Sequence, residues 1–146
     1  MIYTSYFGRL RDLSKSGIEA ISISRSVPTG FAGRRIMELA PTWAMLKMSD
    51  EDYDRCYEQI LAKVDRDELV KSFEGRNVAL LCWEKDINDC HRKRVGEWLR
   101  EGGYEVEEFQ TERQIQDEKR KEEKRREEAA MMAQRQVSMW EILSMV

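Results

Sequence analysis

The chain has 146 residues, of which 25 are basic and 28 acidic, for a net charge of −3. That near balance excludes a broad basic field able to grip a nucleic-acid duplex by charge alone, and leaves room only for a local basic patch. The length allows one domain with or without an appendage, 41% hydrophobic residues suffice for a single core, and no run of about eighteen apolar residues is available to span a membrane.

The opening residues Met1–Gly8 ("MIYTSYFG") have strand character, with no leader-like pattern ahead of them. The chain is therefore expected to be soluble and cytoplasmic, with no membrane partner. Glu19–Val27 ("EAISISRSV") reads as a second strand, with Ile21 and Ile23 on one side and Ser22 and Ser24 on the other. Pro28–Arg35 ("PTGFAGRR") reads as a loop, from its two glycines and its proline. Ser49 or Asp50 then suits the N-cap of a helix whose apolar stripe is Tyr53, Cys56, Tyr57, Ile60, Leu61 and Val64.

"DRDELVKSFEG" follows as a short helix closed by Gly75, and Asn77–Trp83 ("NVALLCW") as a strand buried on both faces. A further helix is expected to begin near Cys90, with Asp89 as its N-cap and Val95, Trp98 and Leu99 as its buried stripe, ending at Gly102-Gly103. Tyr104–Phe109 ("YEVEEF") makes a last strand. Strands alternating with helices predict a three-layer α/β fold with a largely parallel sheet of about four strands and a charged helical tail. Domain boundaries are set at 1–110 for the α/β body, 111–135 for a helical or disordered spacer and 136–146 for an apolar terminal peptide. The spacer rests on exposed charge pairs four residues apart, such as Glu122–Arg126.

Two of the three cysteines and the only histidine fall within "LLCWEKDINDCHRKRV" (Leu80–Val95). Without a secretory signal, an odd cysteine count argues against a disulfide scaffold and for reactive, metal-binding or buried thiols. Cys82 lies at the carboxyl end of the buried strand and Cys90 in the first turn of the next helix, where α/β sheets bind ligands and helix N-termini favour anions. His91 and Arg92 beside them would lower a thiol pKa, and Glu84, one strand period beyond Cys82, suits a proton acceptor. The candidate catalytic groups are therefore Cys82, Glu84, Cys90, His91 and Arg92, with the two cysteines open to acting as nucleophile and resolving thiol. Cys56, on the apolar helix stripe, reads as core.

Zinc is the competing chemistry for Cys82, Glu84, Cys90 and His91. The C-x7-CH spacing matches no common zinc pattern, and the adjacent Cys90 and His91 look poorly placed to aim both donors at one centre. Metal is therefore the lesser reading of the cluster, and the residues specify no cofactor.

"VALLCWEKDINDCHRKRVGEWL" resembles the signature of the domain of unknown function 488 family, in which an apolar strand ends in a cysteine, a glutamate follows, and Cys-His-Arg opens a helix. "ISISRSVP" is similar to that family's second strand, which carries an arginine followed shortly by a proline, here Arg25 and Pro28. Where the family strand reads Asp-Val-Arg, this chain has Ile23-Ser24-Arg25. The resemblance spans roughly Ile2 to Phe109. It implies a three-layer α/β fold and groups Cys82, Glu84, Cys90, His91, Arg92 and Arg25 in one cluster, without implying an activity. Arg25 and Arg92 are expected to meet an anion such as a phosphate, which points to a nucleotide or nucleic-acid-related substrate or ligand. A non-catalytic binding module is the alternative.

Gln136–Trp140 ("QVSMW") is similar to the short peptide by which bacterial DNA-metabolism proteins bind the sliding clamp. Gln136, Ser138 and Met139 match it, and Trp140 stands where phenylalanine is usual. A terminal amphipathic helix that packs on the body, or on a second copy as a homodimer, is the alternative.

Overall fold

The computed structural model describes residues 1–87 and 90–146. The chain divides into two compact units, Met1–Phe109 and Gln110–Val146.

The first unit is built on five parallel strands: β1 (Ile2–Tyr6), β2 (Glu19–Ser22), β3 (Arg34–Arg35), β4 (Val78–Cys82) and β5 (Val106–Glu108). Their order across the sheet is β3-β2-β4-β1-β5, so β4 is central and buried along its whole length. Its side chains alternate between two cores. Val78 and Leu80 face the core shared with α2 (Asp50–Ala62), α3 (Arg66–Lys71) and α4 (Arg92–Glu101), while Ala79 and Leu81 face the core shared with α1 (Leu10–Lys15). Helices on both sheet faces make the three layers, and they are why β4 reads as a continuous apolar run.

The same alternation places Cys82, in step with Val78 and Leu80, on the α4 side. Its register neighbour on β1 is Tyr6. The connection leaving β1 carries α1 on one face and the connection leaving β4 carries α4 on the other, so a crevice opens at the carboxyl ends of this adjacent pair.

Several predicted boundaries shift, each for a local reason. β2 stops at Ser22 rather than running to Val27 because the Ser22 hydroxyl accepts from the Ser24 N–H at 3.2 Å and turns the chain. A two-residue edge strand, β3, lies inside the predicted loop and raises the strand count to five; two residues are too few to show a period. α1 was not predicted. Its signal is weak: Leu10 and Leu13 three apart, with Gly17 at φ 69° just beyond the end. Ser49 caps α2 by accepting from the Asp52 N–H at 3.3 Å. α3 ends at Lys71, short of Gly75, which closes the following turn at φ 70°.

The second unit is one helix, α5 (Glu112–Ser144), capped by the Thr111 side chain, which accepts from the Gln114 N–H. Glu122 pairs with Arg125 and Arg126 on its surface. Its 33 residues span about 50 Å at the helical rise. The helix is continuous through residues 136–144, which the sequence had set apart as a peptide. None of the helices among the described residues is long and apolar enough to cross a membrane.

Candidate functional site at the strand ends

Arg92, the first residue of α4, organises the carboxyl end of the sheet. Its side chain is fully buried, yet every N–H of the guanidinium has an acceptor. Nε donates to both Glu108 carboxylate oxygens at 3.0 and 3.1 Å, and Nη2 donates to Glu108 Oε2 at 2.9 Å and to the Lys85 carbonyl at 2.8 Å. Nη1 donates to the Cys82 sulfur at 3.1 Å and to the Glu84 carbonyl. The Tyr6 ring lies 5.8 Å away. Arg92 thus ties β5, the end of β4 and the segment after it to the start of α4. A guanidinium committed in this way holds the site's frame, whereas the sequence reading gave it to a bound anion.

The structure joins Cys82 and Cys90 in a disulfide, with Cα atoms 7.0 Å apart. Neither sulfur is a free nucleophile in this state, so a reactive thiol at either position requires the reduced chain. An eight-residue separation gave no hint of the pairing; the return of the chain from β4 to α4 creates it. Cys90 precedes α4, with His91 as the N-cap residue, instead of sitting in the first turn. The Asp89 cap falls outside the described residues. Cys56 is partly buried against the core as a free thiol.

His91 is buried, and its Nε2 lies 2.8 Å from the Ile23 carbonyl. A carbonyl only accepts, so Nε2 carries the proton and Nδ1 keeps its lone pair. Nδ1 lies 3.8 Å from the Cys90 sulfur. The donor atoms of Cys82, Cys90 and His91 all fall within 4.8 Å of one another. This removes the objection that adjacent residues 90 and 91 could not converge. Burial lowers the imidazole pKa to about 4; the hydrogen bond to Ile23 opposes the shift and the charge of Arg92 adds to it.

A cavity of about 320 Å³ lies above the ends of β2 and β4. Ser24, Arg25 and Ser26 line it just past β2, Trp83 and Glu84 just past β4, Pro41, Thr42, Trp43 and Leu46 from the connection, Tyr53 from α2 and His91 from the start of α4. A hollow of about 360 Å³ between α2 and α4 is slightly larger. It lies on the helical layer, away from the strand ends where open α/β sheets bind ligands, so the strand-end cavity is the better candidate.

Arg25 donates to the Pro41 and Ala40 carbonyls at 3.1 and 3.3 Å and so fixes the segment that carries Trp43. Trp83 is held by an N–H donated to the Ser26 carbonyl at 3.0 Å and by edge contact with Phe7. Burial, then the negative charge of Glu84, pushes the Tyr53 pKa up to about 12, so its hydroxyl remains a donor.

The predicted residues therefore fall in two adjoining groups that share His91. Cys82, Cys90, His91 and Arg92 form the buried cluster, while Arg25, Glu84 and His91 line the cavity. Glu84 lies past the end of β4 and is exposed, so its place in the cavity comes from the loop and not from the strand period. Gln136, Ser138, Met139 and Trp140 lie on α5, in the other unit. Sequence reasoning missed Trp43, Tyr53, Trp83 and Glu108. Tyr53 was hidden among the apolar stripe of α2, and Glu108 gave no signal beyond being an acid on a strand.

Residues 5–103 match the model of DUF488-N3a, described as the active DUF488-N3 subclade. No curated protein and no solved structure matches the chain.

The buried imidazole gives a pH-dependent stability. The unfolded chain binds a proton on this ring near pH 6.5, which the folded chain refuses until about pH 4. The contribution is complete above pH 6.5, falls as the pH drops from 6.5 to 4, and reaches roughly 3 kcal/mol in all. Because His91 is the only histidine, its ring resonances in NMR report it without ambiguity. They are expected to stay at the neutral position down to about pH 4. A midpoint near 6.5 would show a solvated ring instead.

Proposed function

The chain belongs to the DUF488 family, and on that footing we propose that it is an enzyme acting on a nucleotide or nucleic-acid-related anionic substrate held in the strand-end cavity. The observation that carries this reading is the composition of the cavity wall. Trp43 and Trp83 leave 61% and 49% of their surface exposed, and a planar base finds stacking faces there. Arg25 supplies a cation for a phosphate, and the Tyr53 hydroxyl, Ser24 and Ser26 supply polar contacts. Glu84 is the group at the cavity wall that would move a proton, beside the buried imidazole of His91. The description of the matched subclade as active favours an enzyme over a binding module. The cytoplasmic setting expected from the sequence suits such a substrate.

The test is calorimetric titration of the chain with mononucleotides and short single-stranded oligonucleotides, followed by product analysis with and without a reductant. Micromolar to millimolar binding is expected, weakened at least about tenfold in Trp83→Ala and Arg25→Ala, in line with the worth of one stacked base or one charged contact. Glu84→Gln should keep binding and lose turnover. Binding without turnover under any condition would leave a binding module, and the absence of binding to every nucleotide would contradict the reading. Turnover that needs reductant and vanishes in Cys82→Ser would assign the chemistry to the thiols.

A second reading concerns α5. Val137, Met139, Trp140, Ile142 and Leu143 are all exposed on its last turns, a concentration of apolar surface that supports a partner-binding role. Under this proposal the terminal segment engages a DNA sliding clamp through Gln136, Ser138, Met139 and Trp140. Fluorescence anisotropy of the labelled chain with a purified bacterial clamp tests it: binding should be lost on deletion of residues 136–146 and in Gln136→Ala. If light scattering instead shows a dimer that deletion abolishes, and no clamp binding, the segment serves self-association.

A further inference from the structure

We propose that, in the reduced chain, the sulfurs of Cys82 and Cys90 and Nδ1 of His91 form a three-ligand site for a divalent cation of the zinc class. The three donor atoms lie within 4.8 Å of one another. The separation between the Cys90 sulfur and His91 Nδ1 is 3.8 Å. Tetrahedral zinc, with bonds of about 2.3 Å to sulfur and about 2.0 Å to nitrogen, places such a pair about 3.6 Å apart. The histidine is already set for the role. Its Nε2–H is donated to the Ile23 carbonyl at 2.8 Å, which fixes the ring and leaves the Nδ1 lone pair towards the sulfurs. This is the outer hydrogen bond that metal-binding histidines make. The Cys82 sulfur accepts from Arg92 Nη1 at 3.1 Å, which steadies a thiolate.

Charge points the same way. Cys82, Cys90 and His91 are all buried. Two thiolates buried together would repel and be poorly solvated, but with a dication and a neutral imidazole the centre carries no net charge. Arg92 is balanced separately by Glu108. Two sulfurs and one nitrogen select zinc-like ions and disfavour magnesium and calcium, which require oxygen ligands.

The site and the disulfide are exclusive states of the same residues. The Cys82–Cys90 bond must first be reduced to two thiols, either by two thiol groups that give up two electrons and two protons and become a disulfide, or by a phosphine that gives up two electrons and takes oxygen from a water, which supplies the two protons. Cation binding then parts the sulfurs to about 3.7 Å and releases the two thiol protons. Three protein ligands leave one tetrahedral position for a water or a substrate atom, as in catalytic rather than closed structural zinc sites. His91, shared by the cluster and the cavity wall, links that position to the cavity.

The experiment is anaerobic titration of the full chain, reduced with a phosphine, using Co(II) as the probe, with no nucleotide present. Its outcome is therefore separate from that of the substrate reading. Thiolate-to-metal absorption in the near ultraviolet and intense tetrahedral visible bands are expected, saturating at about one equivalent and displaced by Zn(II). The oxidised chain should show neither. Cys82→Ser, Cys90→Ser and His91→Gln, checked for folding by circular dichroism, should each bind at least about tenfold more weakly, and Cys56→Ser should bind as wild type. The absence of bands in the reduced wild type would overturn the proposal, and so would undiminished binding by the oxidised chain or by His91→Gln.

Discussion

The guanidinium of Arg92 is shut off from water and has five N–H groups to satisfy, and the carboxyl end of the sheet is arranged around that requirement. Glu108 takes one edge of the fork, the carbonyls of Glu84 and Lys85 take two more donors, and the Cys82 sulfur takes the last. Removing an arginine from water costs several kcal/mol, which is offset only when the partners are complete and well placed. That condition fixes four separate pieces of chain relative to one another: the end of β4, the segment after it, the start of α4 and the end of β5. His91 and Cys90, next to Arg92 in the chain, take their positions from the same anchor. The cavity wall at Glu84 depends on it too, through the main chain that Arg92 holds.

A buried arginine of this kind changes what its neighbours can do. Beside the Cys82 sulfur it favours a thiolate in the reduced state, while in the oxidised state the same contact reaches a disulfide. Next along the chain, His91 is kept neutral mainly by burial, with its proton committed to Ile23. An imidazole in that state is a poor cation and a good lone-pair donor. The strand-end chemistry is thus divided between a dry cluster of sulfur and nitrogen and an open, aromatic-walled cavity, with His91 belonging to both.

How much of this was legible in the sequence varied with the physical origin of each feature. β4 was readable because both its faces are buried, so its apolar run needs no partner to be recognised. α2 was readable from its stripe and from Ser49, whose capping geometry is local. Features created by long-range contact were not readable. β3 exists only through its pairing with β2, and the Cys82–Cys90 bond depends on how the chain returns from β4. The Arg92–Glu108 pair joins residues sixteen apart in the chain, with nothing in either segment to single out the other. The family resemblance found the right cluster, but residue types alone suggested that Arg92 was a ligand group. Only its surroundings show that its donors are taken by the protein itself.

The most direct test is the equilibrium unfolding of Arg92→Lys against wild type in urea, with the Cys82–Cys90 disulfide intact in each protein. Lysine keeps the charge but offers a single three-donor ammonium in place of the planar fork, leaving Glu108 and the carbonyls after β4 short of partners. If Arg92 anchors the strand ends, the variant loses on the order of 3 kcal/mol, as expected when a buried hydrogen-bonded ion pair is broken. A loss within about 0.5 kcal/mol, the range of ordinary surface substitutions, would contradict it and show that the strand ends are held by something else.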